Sequence, residues 1–102
     1  QLSLPFVVRS QTRDTAEAVG LLDRGVVAVG YKADLNIIDM ARLQLRPPHM
    51  IYDLPAGARR LMQEAEGYVA TIVSGTVVYR EGLPTGALPG KLVRGAQNAP
   101  AA

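Results

Sequence analysis

The order of apolar and polar positions predicts helical structure in the first twenty residues and strands in most of the rest. At the amino terminus, Ser3 is a favourable N-cap residue, and Pro5 is tolerated in the first turn of a helix. Leu4, Val7 and Val8 then recur at helical spacing. A helix is therefore predicted to begin next to Ser3.

A second helical stretch is predicted from Asp14. Glu17 follows three residues later, which is the spacing of a capping box. Gly20 stands where helices often end in a left-handed residue. Residues 4–19 are thus predicted to form two short helices, or one helix broken near Thr12.

Two β-rich stretches follow the helical region. Residues 26–29 are a run of Val and Ala between Gly25 and Gly30, and both glycines are expected in turns that need positive φ. Residues 35–39 alternate well enough for a strand with one buried face. We therefore predict strands at 26–29 and 35–39.

The clearest local pattern lies at residues 68–80. Two runs rich in β-formers, 68–72 and 76–80, are separated by Val73-Ser74-Gly75, which predicts an antiparallel hairpin with a tight turn. Glu81-Gly82 starts another turn.

The remaining segments carry breakers or short helical patterns. Prolines and a Pro-Ala-Gly sequence predict irregular structure at 42–57, and residues 58–66 predict a helical turn or two ending at Gly67. Residues 83–95 are predicted to be extended or looped, and residues 96–102 to be a disordered tail.

Composition places the chain among ordinary soluble globular domains, since 48% of residues are hydrophobic and 20% are charged. The net charge is +2, but residues 1–79 carry no net charge and no basic run is present, so a nucleic-acid partner is not expected.

Without cysteine, disulfides and thiolate metal sites are excluded. No membrane span or signal peptide is recognisable. Because the chain begins with Gln1, a processed or excised chain is expected.

Three residues are candidates for chemistry. His49 is the only histidine, and a catalytic zinc site needs about three protein ligands, so a loop or surface position is expected for it. Asp34 and Asp39 lie at the two ends of a predicted strand, where a carboxylate usually accepts hydrogen bonds from turn amides such as those following Gly30.

Two charged pairs complete the candidates. Asp23 and Arg24 are expected to form an ion pair of about 0–1 kcal/mol if exposed. Arg59 and Arg60 could bind an anion at a helix start, although solvated side chains are favoured. No catalytic, cofactor-binding or metal-binding residue is assigned.

Several motifs resemble those of amidohydrolases. The superfamily passage "GL-DRG-x-x-x-x-G-x-x-ADL-x-x-x-D" is similar to residues 20–25, 29–35 and Asp39, with Thr12 and Ala16 on the preceding helix. Two further passages resemble N-acyl-D-amino-acid deacylases (D-aminoacylases): Leu54-Pro55-Ala56-Gly57-Ala58, and residues 73–78 followed by 85–94. Together the matches cover residues 12–94.

The resemblance implies a carboxy-terminal region of such an enzyme. It implies an α+β, β-rich fold, in which a partial β-sandwich forms the carboxy-terminal half of the amidohydrolase small domain, with short helices at the amino terminus and near 58–66. The implied segments are an end-of-barrel helical part (1–20), a β-sandwich part (21–95) and the tail (96–102). The implied parent hydrolyses N-acyl-D-amino acids with zinc in a (β/α)₈ barrel and is cytoplasmic. None of its catalytic residues maps onto this chain.

The implied partners are the rest of the parent chain, meaning the barrel and the amino-terminal strands. Since half a sandwich leaves sheet edges unpaired, a homodimer through those edges is a further expectation. Two alternatives stay open: a stand-alone β-rich protein-interaction module, and a fragment of a cyclic-amide hydrolase of the same superfamily.

Overall fold

The computed structural model describes residues 2–101. It contains two short α-helices, α1 (Leu4–Gln11) and α2 (Arg13–Ala18), a 3-10 turn at Pro55–Gly57, and eight strands. The strands are β1 (Leu35–Ile38), β2 (Gln44–Leu45), β3 (His49–Ile51), β4 (Arg60–Met62), β5 (Ala65–Glu66), β6 (Tyr68–Val73), β7 (Thr76–Arg80) and β8 (Leu83–Pro84). The predicted α+β, β-rich class is confirmed, and the strands described form open sheets rather than a closed barrel.

The helical region breaks at Thr12, as predicted. The Ser3 side chain accepts a hydrogen bond from the backbone N–H of Phe6 at 3.4 Å, which caps α1. Thr12 has φ −122° and ψ −80°, so it leaves the helical region between α1 and α2. The predicted capping box is wrong, because α2 begins at Arg13 and the Glu17 carboxylate accepts from Arg13 at 2.8 Å instead of from the backbone.

Strands β6, β7 and β8 follow one another through two tight turns. Ser74 and Gly75 have φ values of 50° and 80°, and Glu81 and Gly82 have φ values of 49° and 80°. Two consecutive positive-φ residues are typical of the type I′ turn, whose twist matches that of a hairpin. The hairpin predicted at 68–80 is confirmed, with β6 extending one residue further than expected, to Val73. In the four-stranded sheet the order is β1-β6-β7-β8.

Two small antiparallel ribbons correct the predictions for residues 42–66. Strands β2 and β5 pair through Gln44↔Glu66, and β3 and β4 pair through Met50↔Leu61. The helix predicted near 58–66 is wrong, as is the fully irregular structure predicted at 42–57. Nine residues are too few for a stable isolated helix, and the turn at Pro55–Gly57 returns the chain so that cross-strand hydrogen bonds replace helical ones.

The strand predicted at 26–29 is also absent from the described structure. The segment contains a turn, in which the N–H of Tyr31 donates to the carbonyl of Ala28 at 3.2 Å. Val27 and Val29 are fully or nearly fully exposed, at 101% for Val29 and 85% for Val27. A strand forms only with a hydrogen-bonded neighbour, and no strand of the described residues lies beside this run.

Contacts divide the chain into two compact units. The first comprises residues 2–35, 72–76 and 88–101, and the second comprises 36–71 and 77–87. Both units are discontinuous along the chain, whereas the segments predicted from the sequence are continuous. Within the segment predicted as a tail, Gln97 forms an isolated parallel bridge with Leu21. Among residues 2–101, neither helix has the length and apolar character that a membrane crossing requires.

Candidate functional site

His49 lies on β3, where its side chain is exposed to solvent. Its cross-strand partner is Met62. A methionine thioether is not one of the ligands that zinc usually takes in proteins. Among residues 2–101, no group of three or more His, Cys, Asp or Glu side chains is placed to hold a metal ion. The structure therefore places His49 where the sequence expected it, on the surface.

Asp34 holds the tip of the β6–β7 hairpin. Its Oδ1 accepts a hydrogen bond from the backbone N–H of Ser74 at 2.8 Å, and the carbonyl of Ala33 accepts from the N–H of Gly75 at 3.0 Å. Asp34 thus bonds turn amides, as predicted, but the expected partner was wrong. The turn lies 40 residues away in the hairpin and not directly after Gly30, a pairing that local sequence rules cannot reveal.

Asp39 organises the turn that follows β1. Its Oδ1 accepts from the N–H of Ala41 at 3.1 Å, which is an Asx-turn, and its Oδ2 accepts from Nε of Arg42 at 2.9 Å. The N–H of Asp39 donates to the carbonyl of Gly67 at 2.7 Å. Arg42 also lies 3.5 Å from Glu81, so it joins this turn to the β7–β8 turn. The predicted turn role of Asp39 is confirmed.

Asp23 and Arg24 form the ion pair that the sequence predicted. The two contacts measure 2.9 and 3.3 Å, and the side chains are only 27% and 18% exposed, for Asp23 and Arg24 respectively. The Arg24 hydrogen bond lowers the pKa of Asp23 below its ordinary value. The carbonyl of Asp23 also accepts from the N–H of Lys32 at 2.7 Å, so the pair belongs to a structured loop, and Arg24 lines a shallow pocket beside α2 with Asp34.

Arg60 differs from its neighbour Arg59. Arg60 donates two hydrogen bonds to the carboxylate of Asp53, at 2.8 and 2.6 Å, at the loop end of the β3–β4 hairpin. This bidentate contact lowers the pKa of Asp53. For Arg59 and Arg60 the sequence favoured solvated side chains over an anion site at a helix start. In the described structure no helix starts here, and Arg60 is half exposed but already has an anionic partner. No local pattern predicts the Asp53–Arg60 pair, because the two residues meet only when β3 and β4 form their hairpin.

A cleft in the second unit collects several charged side chains. Arg46 pairs with Glu66, whose Oε2 also accepts from Nε2 of Gln44 at 2.6 Å, and Arg42 pairs with Glu81. Glu64 also lines the cleft, so its charged residues are two arginines, both paired, and three glutamates. The cleft consequently offers a mixed surface and no concentration of one charge that would select a charged substrate.

The most unusual property of the molecule is its apolar surface. Among the described residues, the only hydrophobic side chains classed as buried are Ala16, at 8% exposure, and Ala70, at 4%. Large apolar residues in both units are exposed by a third or more of their area, including Phe6, Val29 and Leu61. Val, Leu and Ile are normally among the most buried residues, so exposure on this scale is unusual for a folded domain.

Comparison with protein-family models gives a match over most of the chain. The family model described as "Amidohydrolase family" matches residues 1–79, which is more than half of the chain. This chain belongs to the amidohydrolase family. No curated protein and no solved structure matched it. The match covers the Asp23–Arg24 loop, the Asp34 contact and the Asp39 turn, and ends within β7.

Amidohydrolases are in general metal-dependent, so the described residues must be tested as a metal site. They do not fit one: within residues 2–101 no three His, Asp or Glu side chains are grouped, and Asp34, Asp39 and Asp53 each already bind a backbone amide or an arginine. No catalytic step is therefore derived for these residues. What this amidohydrolase segment presents is a folded scaffold with an exposed apolar surface.

Proposed function

We propose that this chain acts as a carboxy-terminal, non-catalytic part of a metal-dependent amidohydrolase that hydrolyses N-acyl-D-amino acids. The observation that carries the proposal is the combination of the family match with an almost unburied set of apolar side chains. A chain that folded and acted alone would bury more of its Val, Leu and Ile residues. The proposed role is structural: the segment completes an accessory β domain beside the catalytic barrel.

The proposed partner is the rest of the parent chain, namely the catalytic barrel and the amino-terminal strands. Strand β1 is at one edge of the four-stranded sheet, and its sequence Leu-Asn-Ile-Ile contains neither proline nor charge to discourage pairing. Ile37 and Ile38 are exposed on it, at 50% and 38%. These features support the addition of a further strand at this edge, where the partner would also cover the exposed isoleucine side chains.

The substrate proposal rests on two motifs and on no substrate contact. Residues 54–58, Leu-Pro-Ala-Gly-Ala, build the turn of the β3–β4 hairpin. In the Thr-Gly-Ala motif, the Thr85 hydroxyl donates to the carbonyl of Val77 at 2.7 Å and accepts from the N–H of Ala87 at 3.3 Å. Both motifs are therefore structural fixtures, and they support a D-aminoacylase only through the resemblance. Zinc, as the metal, and a cytoplasmic location are part of the same proposal.

The substrate class is tested with the full-length natural protein loaded with zinc. N-acetyl-D-amino acids, N-acetyl-L-amino acids, hydantoins and dihydroorotate are assayed in parallel. The proposal expects turnover of the N-acetyl-D-amino acids in preference to the others. Preferred turnover of hydantoins or dihydroorotate would instead establish the cyclic-amide hydrolase alternative.

A second candidate function is a self-associating β-rich interaction module. The free edge of β1 is the observation that favours it, since two copies could pair edge to edge. Sedimentation of isolated residues 1–102 distinguishes the two. A stable dimer of residues 1–102 that persists when the remainder of the parent chain is added would favour the module. A monomer at high concentration would rule out pairing between two copies.

A further inference from the structure

The carboxy-terminal residues run alongside the segment that follows α2. The N–H of Gln97 donates to the carbonyl of Gly20 at 2.9 Å, and the carbonyl of Gln97 accepts from the N–H of Leu22 at 3.1 Å. Leu21 and Gln97 are accordingly partners in a parallel β-bridge. Both backbone groups of Gln97 are therefore used, although it lies 76 residues from its partner.

The same tail makes two close approaches on either side of this bridge. A Cβ atom at Gly20 would lie 3.2 Å from Cβ of Ala96, and a Cβ atom at Gly30 would lie 2.9 Å from Cβ of Pro100. Glycine at these two positions leaves the space that the tail occupies. The tail thus follows the surface of the first unit from the end of α2 to the turn at Gly30.

The segment beneath the tail has little regular structure of its own. Between Leu22 and Gly30 it forms bends and turns, and its supporting backbone bonds include Lys32 N–H to the Asp23 carbonyl at 2.7 Å. Segments with few backbone bonds and exposed apolar side chains open at low free energy. Two further hydrogen bonds at Gly20 and Leu22 consequently matter more here than they would inside a regular sheet.

We propose that residues 96–100 form a strap that closes over residues 20–30 and holds the end of α2 and the following loop in place. The strap acts through backbone pairing at Gln97, since the Gln97 side-chain amide donates only long bonds within the tail itself, to the carbonyls of Arg94 and Gly95 at 3.5 Å. Pro100 extends the contact to Gly30. The carboxy terminus thereby becomes a conformational element of the first unit, and this inference does not depend on the substrate or the partner proposed above.

Amide hydrogen exchange in the natural full-length protein tests the strap without requiring residues 1–102 to fold alone. In the unmodified protein, the amide of Gln97 is expected to exchange at least about tenfold more slowly than that of Asn98, which donates no backbone hydrogen bond in the described structure. Equal, unprotected exchange at both amides would show that the tail is free and would overturn the proposal.

Three matched variants then identify the group responsible. Gln97→Pro removes the N–H that donates to Gly20, and it is expected to speed exchange at Leu22 by about fivefold or more. Gln97→Ala keeps both backbone groups, and Asn98→Pro places the same ring one residue later, so neither is expected to change exchange at Leu22. Equal effects of all three variants, or no effect of Gln97→Pro, would contradict a backbone strap.

Discussion

Of two valine-rich segments with similar composition, one forms a strand and the other does not. Residues 76–80 form strand β7, with β6 on one side and β8 on the other, and Val77 and Val78 are half-buried. Residues 26–29 carry three valines, yet they form bends and turns, and Val29 is 101% exposed. Both segments adjoin glycines in positive-φ turns.

The difference between them lies in the neighbours that each segment finds. Strand β7 pairs with β6, which ends only two residues before it, because the type I′ turn at Ser74–Gly75 reverses the chain. Residues 26–29 have no such local partner. β-Propensity describes how well a side chain fits a paired, half-buried surface, and it does not create the pair. A segment without its neighbour is what an incomplete β domain would show.

The largest expected effect concerns a close contact in the paired region. A Cβ atom at Gly67 would lie 2.7 Å from Cα and 2.8 Å from N of Leu43, and Gly67 has φ 98°. Gly67→Ala is therefore expected to lower the free energy of unfolding by about 3 kcal/mol, from steric overlap and backbone strain together. Denaturant unfolding measures the loss.

Gly75→Ala is the matched control for this substitution. Gly75 also has positive φ, at 80°, but a Cβ atom there would meet nothing within 4 Å. Its expected cost is about 1 kcal/mol, from the left-handed conformation alone. Equal losses for the two variants would mean that the contact at Leu43 has no energetic importance.

The Asp34 contact gives the next largest effect. Asp34→Ala removes the acceptor for the N–H of Ser74 and is expected to cost about 1–2 kcal/mol, whereas Asp34→Asn keeps an oxygen and should lose less than half of that. Asp14→Ala, which removes an exposed contact with Arg9, should change stability by about 0.5 kcal/mol or less. A loss at Asp34→Ala no larger than that at Asp14→Ala would rule out the hairpin clasp.

Serine substitutions test the two valine segments directly. Val77→Ser removes half-buried apolar surface and should cost about 1 kcal/mol, while Val29→Ser should change the stability of isolated residues 1–102 by no more than about 0.5 kcal/mol. If a partner covers residues 26–29, Val29→Ser should instead weaken binding to the remainder of the parent protein, which calorimetric titration measures. Unchanged binding would exclude this run from the interface.

The smallest effect is a pH dependence in the β3–β4 ribbon. Arg60 lowers the pKa of Asp53 below the ordinary value of 3.8 in the folded state. A lowered folded-state pKa stabilises the fold above the ordinary value, and that stabilisation is lost as the pH falls through the lowered one. Carbon-13 NMR titration should show the carboxyl of Asp53 titrating below 3.8 in the unmodified chain and near it in Arg60→Gln. The same titration midpoint for Asp53 in both proteins would show that Arg60 does not lower its pKa.

Local patterns predicted the parts of the fold that depend on nearby residues. The break at Thr12, the hairpin at 68–80 and the turn role of Asp39 follow from caps, turns and alternation within a few positions. The motifs also indicated the amidohydrolase family, which the family comparison established.

The errors share a physical cause, which is pairing between distant residues. Residues 58–66 have helix-forming composition but pair as strands because the Pro55–Gly57 turn brings β3 beside β4. Asp34 reaches Ser74 and Gln97 reaches Leu21 across long separations. No short window of sequence contains both partners of such a contact, so periodicity and propensity could not predict them.

Reconstitution of the natural protein from two parts tests whether this segment supports an amidohydrolase without carrying its chemistry. Residues 1–102 and the remainder of the natural protein are produced separately, mixed, and assayed for zinc-dependent hydrolysis of N-acetyl-D-amino acids and for formation of a 1:1 complex. No activity is expected from residues 1–102 alone, and activity is expected to be restored in the complex. Hydrolysis by residues 1–102 alone, or full activity of the remainder without them, would contradict it.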